Sequence, residues 1–352
     1  MKEPTDQLLY IADKYSTKMR NALLEAYRLF LESVSEEDIL TALKYNGVQG
    51  LAELASQIGG DMANRVTPIL TDAWQESGRA MLSLLPAGAV TGQVVFDSLP
   101  VWAVSSAEAH RARFVSEASE TARQAVTEAV MANIIAGNNP RSTARDFRSA
   151  IGLTARQERA VWNYRNYLET LDMQALEREL RDHRSDSVVL RHIENEQPLG
   201  EEYIDGLVEH YRQRSLKWRS ETIARVESMR AIHMGEYDSL YAAWSQGKLN
   251  PNLRRFWVAA MDERVRIAHR RIPLMNRQGV AVNEMFQTPL GPMRYPLDPE
   301  GVPENVINCR CTLIYRIVSG FTDFNSVPTE RMLPRDISEQ VGYASQRGLP
   351  RR

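Results

Sequence analysis

Apolar residues recur at spacings of three and four from Thr5 to Leu85, carried by Leu8, Ile11, Tyr15 and Met19 and then by Leu23, Tyr27 and Leu31. That spacing gathers them on one face of a helix and is incompatible with a strand, whose side chains repeat every two residues. At Ser35-Glu36-Glu37-Asp38 a hydroxyl and acids stand where the first free N–H groups of a new helix point, so a capped helix is expected there. Breaks are expected near Gly47, Gly59-Gly60 and Pro86.

Helical patterning resumes over residues 107–136 and stops at Gly137-Asn138-Asn139-Pro140. Ser142 opens a short helix ending near Gly152. Residues 153–184 read as one helical stretch and 207–246 as another, with a turn at Pro198-Leu199-Gly200 between them. After Gly247 the texture changes: Pro251, Pro273, Gly279, Pro289, Gly291, Pro292, Pro296, Pro299, Gly301 and Pro303 punctuate short apolar pieces. Residues 256–260 and 311–318 have the composition of strands. The expected fold is mainly α, with a helical N-terminal two-thirds and a small C-terminal α+β module. The expected division is a helical N-terminal domain over 1–105, a central helical domain over 106–246, the α+β module over 247–320 and an extended tail over 321–352.

Hydrophobic residues make up 43% of the chain and charged residues 25%, the balance of a soluble globular protein rather than of a disordered or membrane chain. The apolar run 81–104 is interrupted by Pro86, Asp97 and Pro100, so a buried loop or short strands are expected in place of a membrane span. The first residues lack a basic start followed by a continuous apolar stretch, which points to synthesis and use in a cytosol. Net charge is −2 overall, but residues 1–140 carry −6, and the positive charge gathers towards the C-terminal third. The only two cysteines, Cys309 and Cys311, are one residue apart. A disulfide across that spacing would be strained, so both thiols are expected to be reduced.

The most specific residues are Trp257, the segment Met261–His269 (MDERVRIAH), Gly279, Phe286, Pro296 and Asn308-Cys309-Arg310-Cys311. Their order and spacing resemble the phage Mu F-like head morphogenesis family of minor capsid proteins. Asp262, Val265, Arg266, His269, Cys309, Arg310 and Cys311 match its signature, and Ala224, Arg225 and Glu227 match the helix that precedes it. The resemblance is good over 220–318 and weak over 130–318. It implies a virion structural protein with several copies per virion, at the portal vertex or the capsid interior and in the host cytoplasm during assembly. The implied partners are the portal protein, the major capsid protein and the packaged DNA. The implied work is head morphogenesis, genome packaging or retention, or DNA ejection. Some relatives carry an added enzyme or toxin domain, but only 34 residues follow Val318, too few for one. No catalytic residue is assigned.

In a strand, residues two apart face the same way, so Cys309 and Cys311 could meet one ion with His269 as a third ligand, and zinc suits that donor set. Asp262 is the candidate fourth ligand, although seven helical residues would put it about 10 Å from His269 unless the helix ends between them. Relatives often have cysteine where this chain has Arg266, so the resemblance implies one ligand fewer here. The alternative is that the cysteines pack as small apolar residues and His269 bonds nearby backbone. If zinc kept an open position it could activate water, which makes a metal-dependent hydrolase the rival class. Glu263 could then be asked to serve as general base, but nothing in the spacing singles it out from a surface acid beside Arg264. No phosphate-cradling glycine loop, serine elbow or His-Glu-x-x-His segment is present. A membrane-active ejection protein, acting through 81–104, is the third class.

Arg254, Arg255, Arg264, Arg266, Arg270 and Arg271 outnumber the two acids among them, Asp262 and Glu263, and form the candidate contact with nucleic acid or an acidic portal surface. Segments 156–167 and 211–219 interleave basic and aromatic residues and are weaker candidates for DNA contact. The remaining histidines, His110, His183, His192, His210 and His233, sit among charged residues and read as surface or capping groups.

Overall fold

The structure, a computed structural model, describes residues 4–94, 101–135, 147–260 and 262–318. The fold is mainly helical, with a two-stranded antiparallel sheet near the C-terminus, in agreement with the sequence. Helices α1 (Pro4–Ser33), α2 (Glu36–Ser56), α3 (Ile58–Leu84) and α4 (Val101–Ile135) come first. They are followed by α5 (Ala155–Glu169), α6 (Gln174–Glu177), α7 (Asp186–Glu194) and the 45-residue α8 (Glu201–Ser245). Strand β1 (Leu253–Val258), α9 (Ile267–Met275), α10 (Pro303–Val306) and β2 (Thr312–Ile317) complete the described elements.

Local chemistry accounts for the boundaries. Ser35 caps α2 by a reciprocal bond with Asp38, its hydroxyl accepting from the Asp38 N–H at 3.1 Å. Gly47, at φ 59°, kinks α2 where a break was expected. The break expected near Gly59-Gly60 falls at Gln57, the junction of α2 and α3, with both glycines in the first turn of α3. The stretch 153–184 is not one helix: α5 stops at Glu169, and Leu171 turns the chain at φ 55°. Residues 101–104 of the apolar run begin α4, Met81 to Leu84 end α3, and residues 95–100 lie outside the described residues. No helix among the described residues is long and apolar enough to cross a membrane. The expected tail over 321–352 and the start of the expected helix at Ser142 also lie outside the described residues.

The chain packs into two compact units. The first draws its described residues from within 1–20, 67–110 and 222–344, the second from within 21–66 and 111–221. Helices α1, α3, α4 and α8 each contribute to both units, so the boundaries of these units fall inside helices. Composition does not change inside a continuous helix, so the sequence carries no mark there.

In the first unit, Leu8, Ile11 and Tyr15 of α1, Trp74 and Met81 of α3, and Ile232 and Leu240 of α8 share a core with Trp257, Ile272, Phe286, Tyr295, Leu297, Cys311 and Leu313. Gly235 lets α3 and α8 meet: a Cβ there would stand 2.2 Å from Ser77 Oγ and 2.3 Å from the Trp74 carbonyl oxygen. One turn further along α8, buried Asp238 accepts from the Trp74 indole N–H at 2.7 Å. Burial pushes the Asp238 carboxyl up to about 7. In the second unit, Val161, Tyr164 and Leu168 pack with Val189, Leu207, Val208 and Tyr211. Tyr164 and Tyr211 stack with ring centroids 4.7 Å apart.

Candidate functional site

Strands β1 and β2 pair from Leu253 opposite Ile317 to Val258 opposite Thr312, which sets Trp257 opposite Leu313 and Arg255 opposite Tyr315. Cys309 and Cys311 lie immediately before β2. The turn that delivers them is closed by the Cys309 N–H donating to the Val306 carbonyl at 3.1 Å, with Asn308 at φ 56°. Asparagine is among the few residues other than glycine that enter this left-handed region readily. His269 sits in the first turn of α9 and meets the Trp257 indole edge-on, with centroids 6.4 Å apart.

The structure brings these three side chains together. His269 Nδ1 lies 3.6 Å from Cys309 Sγ and 3.4 Å from Cys311 Sγ. Their candidate ligand atoms all lie within 4.8 Å of one another, and all three residues are buried. Both thiols are free, as expected. The Cys311 thiol is pushed well down because the neighbouring Cys309 S–H, and then the His269 N–H, favour its thiolate. Donating that S–H···S hydrogen bond, together with burial, pushes the Cys309 thiol up. His269 Nε2 is buried without a hydrogen-bond partner among the described residues, so the expected bond to nearby backbone does not appear there.

Asp262 is not in this group. Arg310, the residue between the two cysteines, holds both of its carboxylate oxygens and keeps its carboxyl below the usual range. The pair ties the start of the Asp262–His269 signature to the Cys-Arg-Cys turn, a role of positioning that sequence spacing alone could not distinguish from ligation. Glu263 is exposed.

A second buried group was missed by reading His233 as a surface residue. It is 1% exposed. Its Nε2 faces the Cys311 carbonyl oxygen at 3.2 Å and its Nδ1 faces Glu236 Oε2 at 3.1 Å, while the Tyr315 hydroxyl donates to the same carboxylate oxygen at 3.0 Å. His233 and Glu236 occupy places on the Met229, Ile232 and Leu240 face of α8, and that helical spacing is the signal that marks them as interior. On the same helix Arg230 bonds Glu227 at 2.6 Å and the Leu297 carbonyl at 3.2 Å, so the Glu227 of the upstream motif helps hold the turn at 297.

The six arginines do not form one surface. Arg255 is 1% exposed and its guanidinium donates to the carbonyl oxygens of Arg294 at 2.6 Å, Glu284 at 2.6 Å and Ala281 at 2.9 Å. It also lies over the Tyr237 and Phe286 rings. It is a rivet of the module and not a contact for a polyanion. Arg254 bonds the Pro251 carbonyl, Arg266 the Ile307 carbonyl and Arg270 the Asp262 carbonyl. Arg264, Arg270 and Arg271 are exposed. Exposed Ile267 and Leu274 flank Arg271 at helical spacing, so one side of α9 carries a mixed apolar and basic stripe. Of the weaker basic segments, Arg159 pairs with Glu128, Arg165 with Asp205 and Arg212 with Glu158.

No curated protein and no solved structure matches the chain. A family model does, over residues 173–314, and it is described as phage Mu protein F like protein. The matched span opens well before Gly247, taking in α6, α7 and α8, and closes inside β2, so it contains the Asp262–Arg310 pair, the His269, Cys309 and Cys311 cluster and the His233 network. That family is one of phage head structural proteins, and across residues 173–314 this chain carries the phage Mu F-like module.

Proposed function

We propose that this chain is a minor head protein of a tailed phage that works by binding, docked at the portal vertex or on the inner capsid face, in several copies per virion. Its tasks are head assembly and the packaging, retention or ejection of the genome. The observation that carries this reading is the family match over 173–314. Two features of the matched span support it. The side chains with reactive potential, His269, Cys309 and Cys311, are buried at 2%, 5% and 1% exposure, which suits a structural cluster better than a site that admits substrate. The groups offered to solvent on α9 are instead apolar and basic, the mixture that suits docking to an acidic protein surface or to DNA phosphates.

The test is co-purification of the full chain with the portal protein and with the major capsid protein of the same phage, at low and high salt. A stable complex with either is expected. Failure to bind both would remove the docking role. DNA binding is read separately, by titration against duplex DNA across a salt series. Arg264, Arg270 and Arg271 are the residues expected to contribute, and the log–log salt slope should fall by about 0.9 for each phosphate that a variant no longer neutralises. Arg255 makes no such contribution in this reading.

A further inference from the structure

We infer that His269, Cys309 and Cys311 form a buried zinc site whose job is to pin α9 to the start of β2. The geometry is the first reason. Zinc bound to sulfur at about 2.3 Å and to nitrogen at about 2.0 Å in a tetrahedron sets nitrogen and sulfur about 3.6 Å apart. His269 Nδ1 stands 3.4 and 3.6 Å from the two sulfurs. The two nitrogen–sulfur separations thus match edges of a coordination tetrahedron, between groups 40 and 42 residues apart in sequence.

Hydrogen bonding is the second reason. His269 is 2% exposed; its Nε2 has no partner among the described residues, and its Nδ1 faces only sulfur. Sulfur is a weak hydrogen-bond partner, so the buried Nδ1 is poorly served by the two thiols alone. Ligation through Nδ1 replaces weak sulfur contacts with a coordinate bond and fixes the proton on Nε2. Charge is the third reason. Two thiolates cannot both be held in this apolar pocket without compensation, whereas a divalent ion with two thiolates and a neutral imidazole sums to zero. Both thiol protons leave to solvent as the ion binds. The donor set of two sulfurs and one nitrogen is soft, which favours zinc over magnesium or calcium.

The surroundings brace the ligands. The Cys311 N–H points at Cys309 Sγ at 3.5 Å, His233 holds the Cys311 carbonyl, and the Arg310–Asp262 pair fixes the two segments that bring the ligands together. Asp262 itself is engaged and stays outside the shell, which leaves the fourth position to water or another small ligand.

The experiment uses the full chain, purified reduced after growth with added zinc. Mass-spectrometric metal analysis is expected to return about one zinc per chain. Exchange for cobalt should give the visible bands of a tetrahedral ion and a thiolate-to-cobalt charge-transfer band. Cys309→Ser, Cys311→Ser and His269→Asn should each weaken binding more than about 100-fold, beyond the usual effect of losing an outer-shell partner. Asp262→Asn should keep its metal. A wild-type chain that takes up cobalt without a thiolate band overturns the site, and this readout stands even if the variants fail to fold. Equal metal loss in Asp262→Asn and Cys311→Ser overturns the three-ligand assignment.

Discussion

In the second unit, Val161, Tyr164 and Leu168 recur along one face of α5 and meet Leu207, Val208 and Tyr211, so the core is a set of apolar stripes. Around Trp257 in the first unit, the core is threaded by polar groups: Arg255 on three carbonyls, His233 between Cys311 and Glu236, and Asp238 under Trp74. The difference follows from the chain. Helices satisfy their own backbone, but the Pro- and Gly-rich stretch from 273 to 303 leaves carbonyls that only side chains can reach. The turn-rich module therefore draws on donors as deeply buried as Arg255, whereas in the second unit the guanidinium groups that reach carbonyls, such as Arg148 on Leu31 and Val34, are only partly buried.

The largest expected effect is at Arg255. Arg255→Met keeps much of the volume but strips the donor from the Ala281, Glu284 and Arg294 carbonyls, and a loss of about 3–5 kcal/mol in urea denaturation is expected. A loss below about 1 kcal/mol would break the distinction between the two cores.

Asp238 comes next and supplies a pH dependence. Its carboxyl titrates at about 7 in the folded chain against 3.8 when free, so between those values the folded state holds a proton that the unfolded state has released. Stability from this group is therefore full below pH 4 and falls as pH rises through 7, by up to about 4 kcal/mol at 1.36 kcal/mol per pKa unit. Asp238→Asn should flatten that slope in melts taken between pH 5 and 8. An unchanged slope would show that the Trp74 bond already compensates the charge.

In the second unit, volume should matter and polarity should not. Leu168→Ala is expected to cost about 2–4 kcal/mol and Leu168→Met less than about 1.5. Equal costs would mean that this core depends on more than filling space. The smallest effect is at the surface: Asp205→Ala removes the partner of Arg165 and should shift stability by less than about 1 kcal/mol.

These contrasts also explain what the sequence revealed. The helix α1 and the capped start of α2 were legible because periodicity and capping are local. So were the two strands and, from the small set of soft ligands, the meeting of His269 with Cys309 and Cys311, although a turn ahead of β2 and not strand alternation brings the two sulfurs to one side. The role of Asp262 was not legible, because an acid near a candidate metal site looks the same whether it ligates or pairs with Arg310. Arg255 was read with the surface arginines since nothing in Leu253-Arg254-Arg255-Phe256 shows which arginine turns inward until the pairing with β2 is fixed. The break at Leu171 was missed because a leucine carries no turn signal, and His233 because charged neighbours hide a residue on a buried helical face.

Whether this chain is a component of the phage head is tested most directly by quantitative mass spectrometry of purified particles of the phage that encodes it, with portal and major capsid peptides counted alongside. The chain is expected in every particle preparation, at a level near that of the portal and far below that of the major capsid protein. Its absence from assembled heads and their precursors alike would contradict a role in the head.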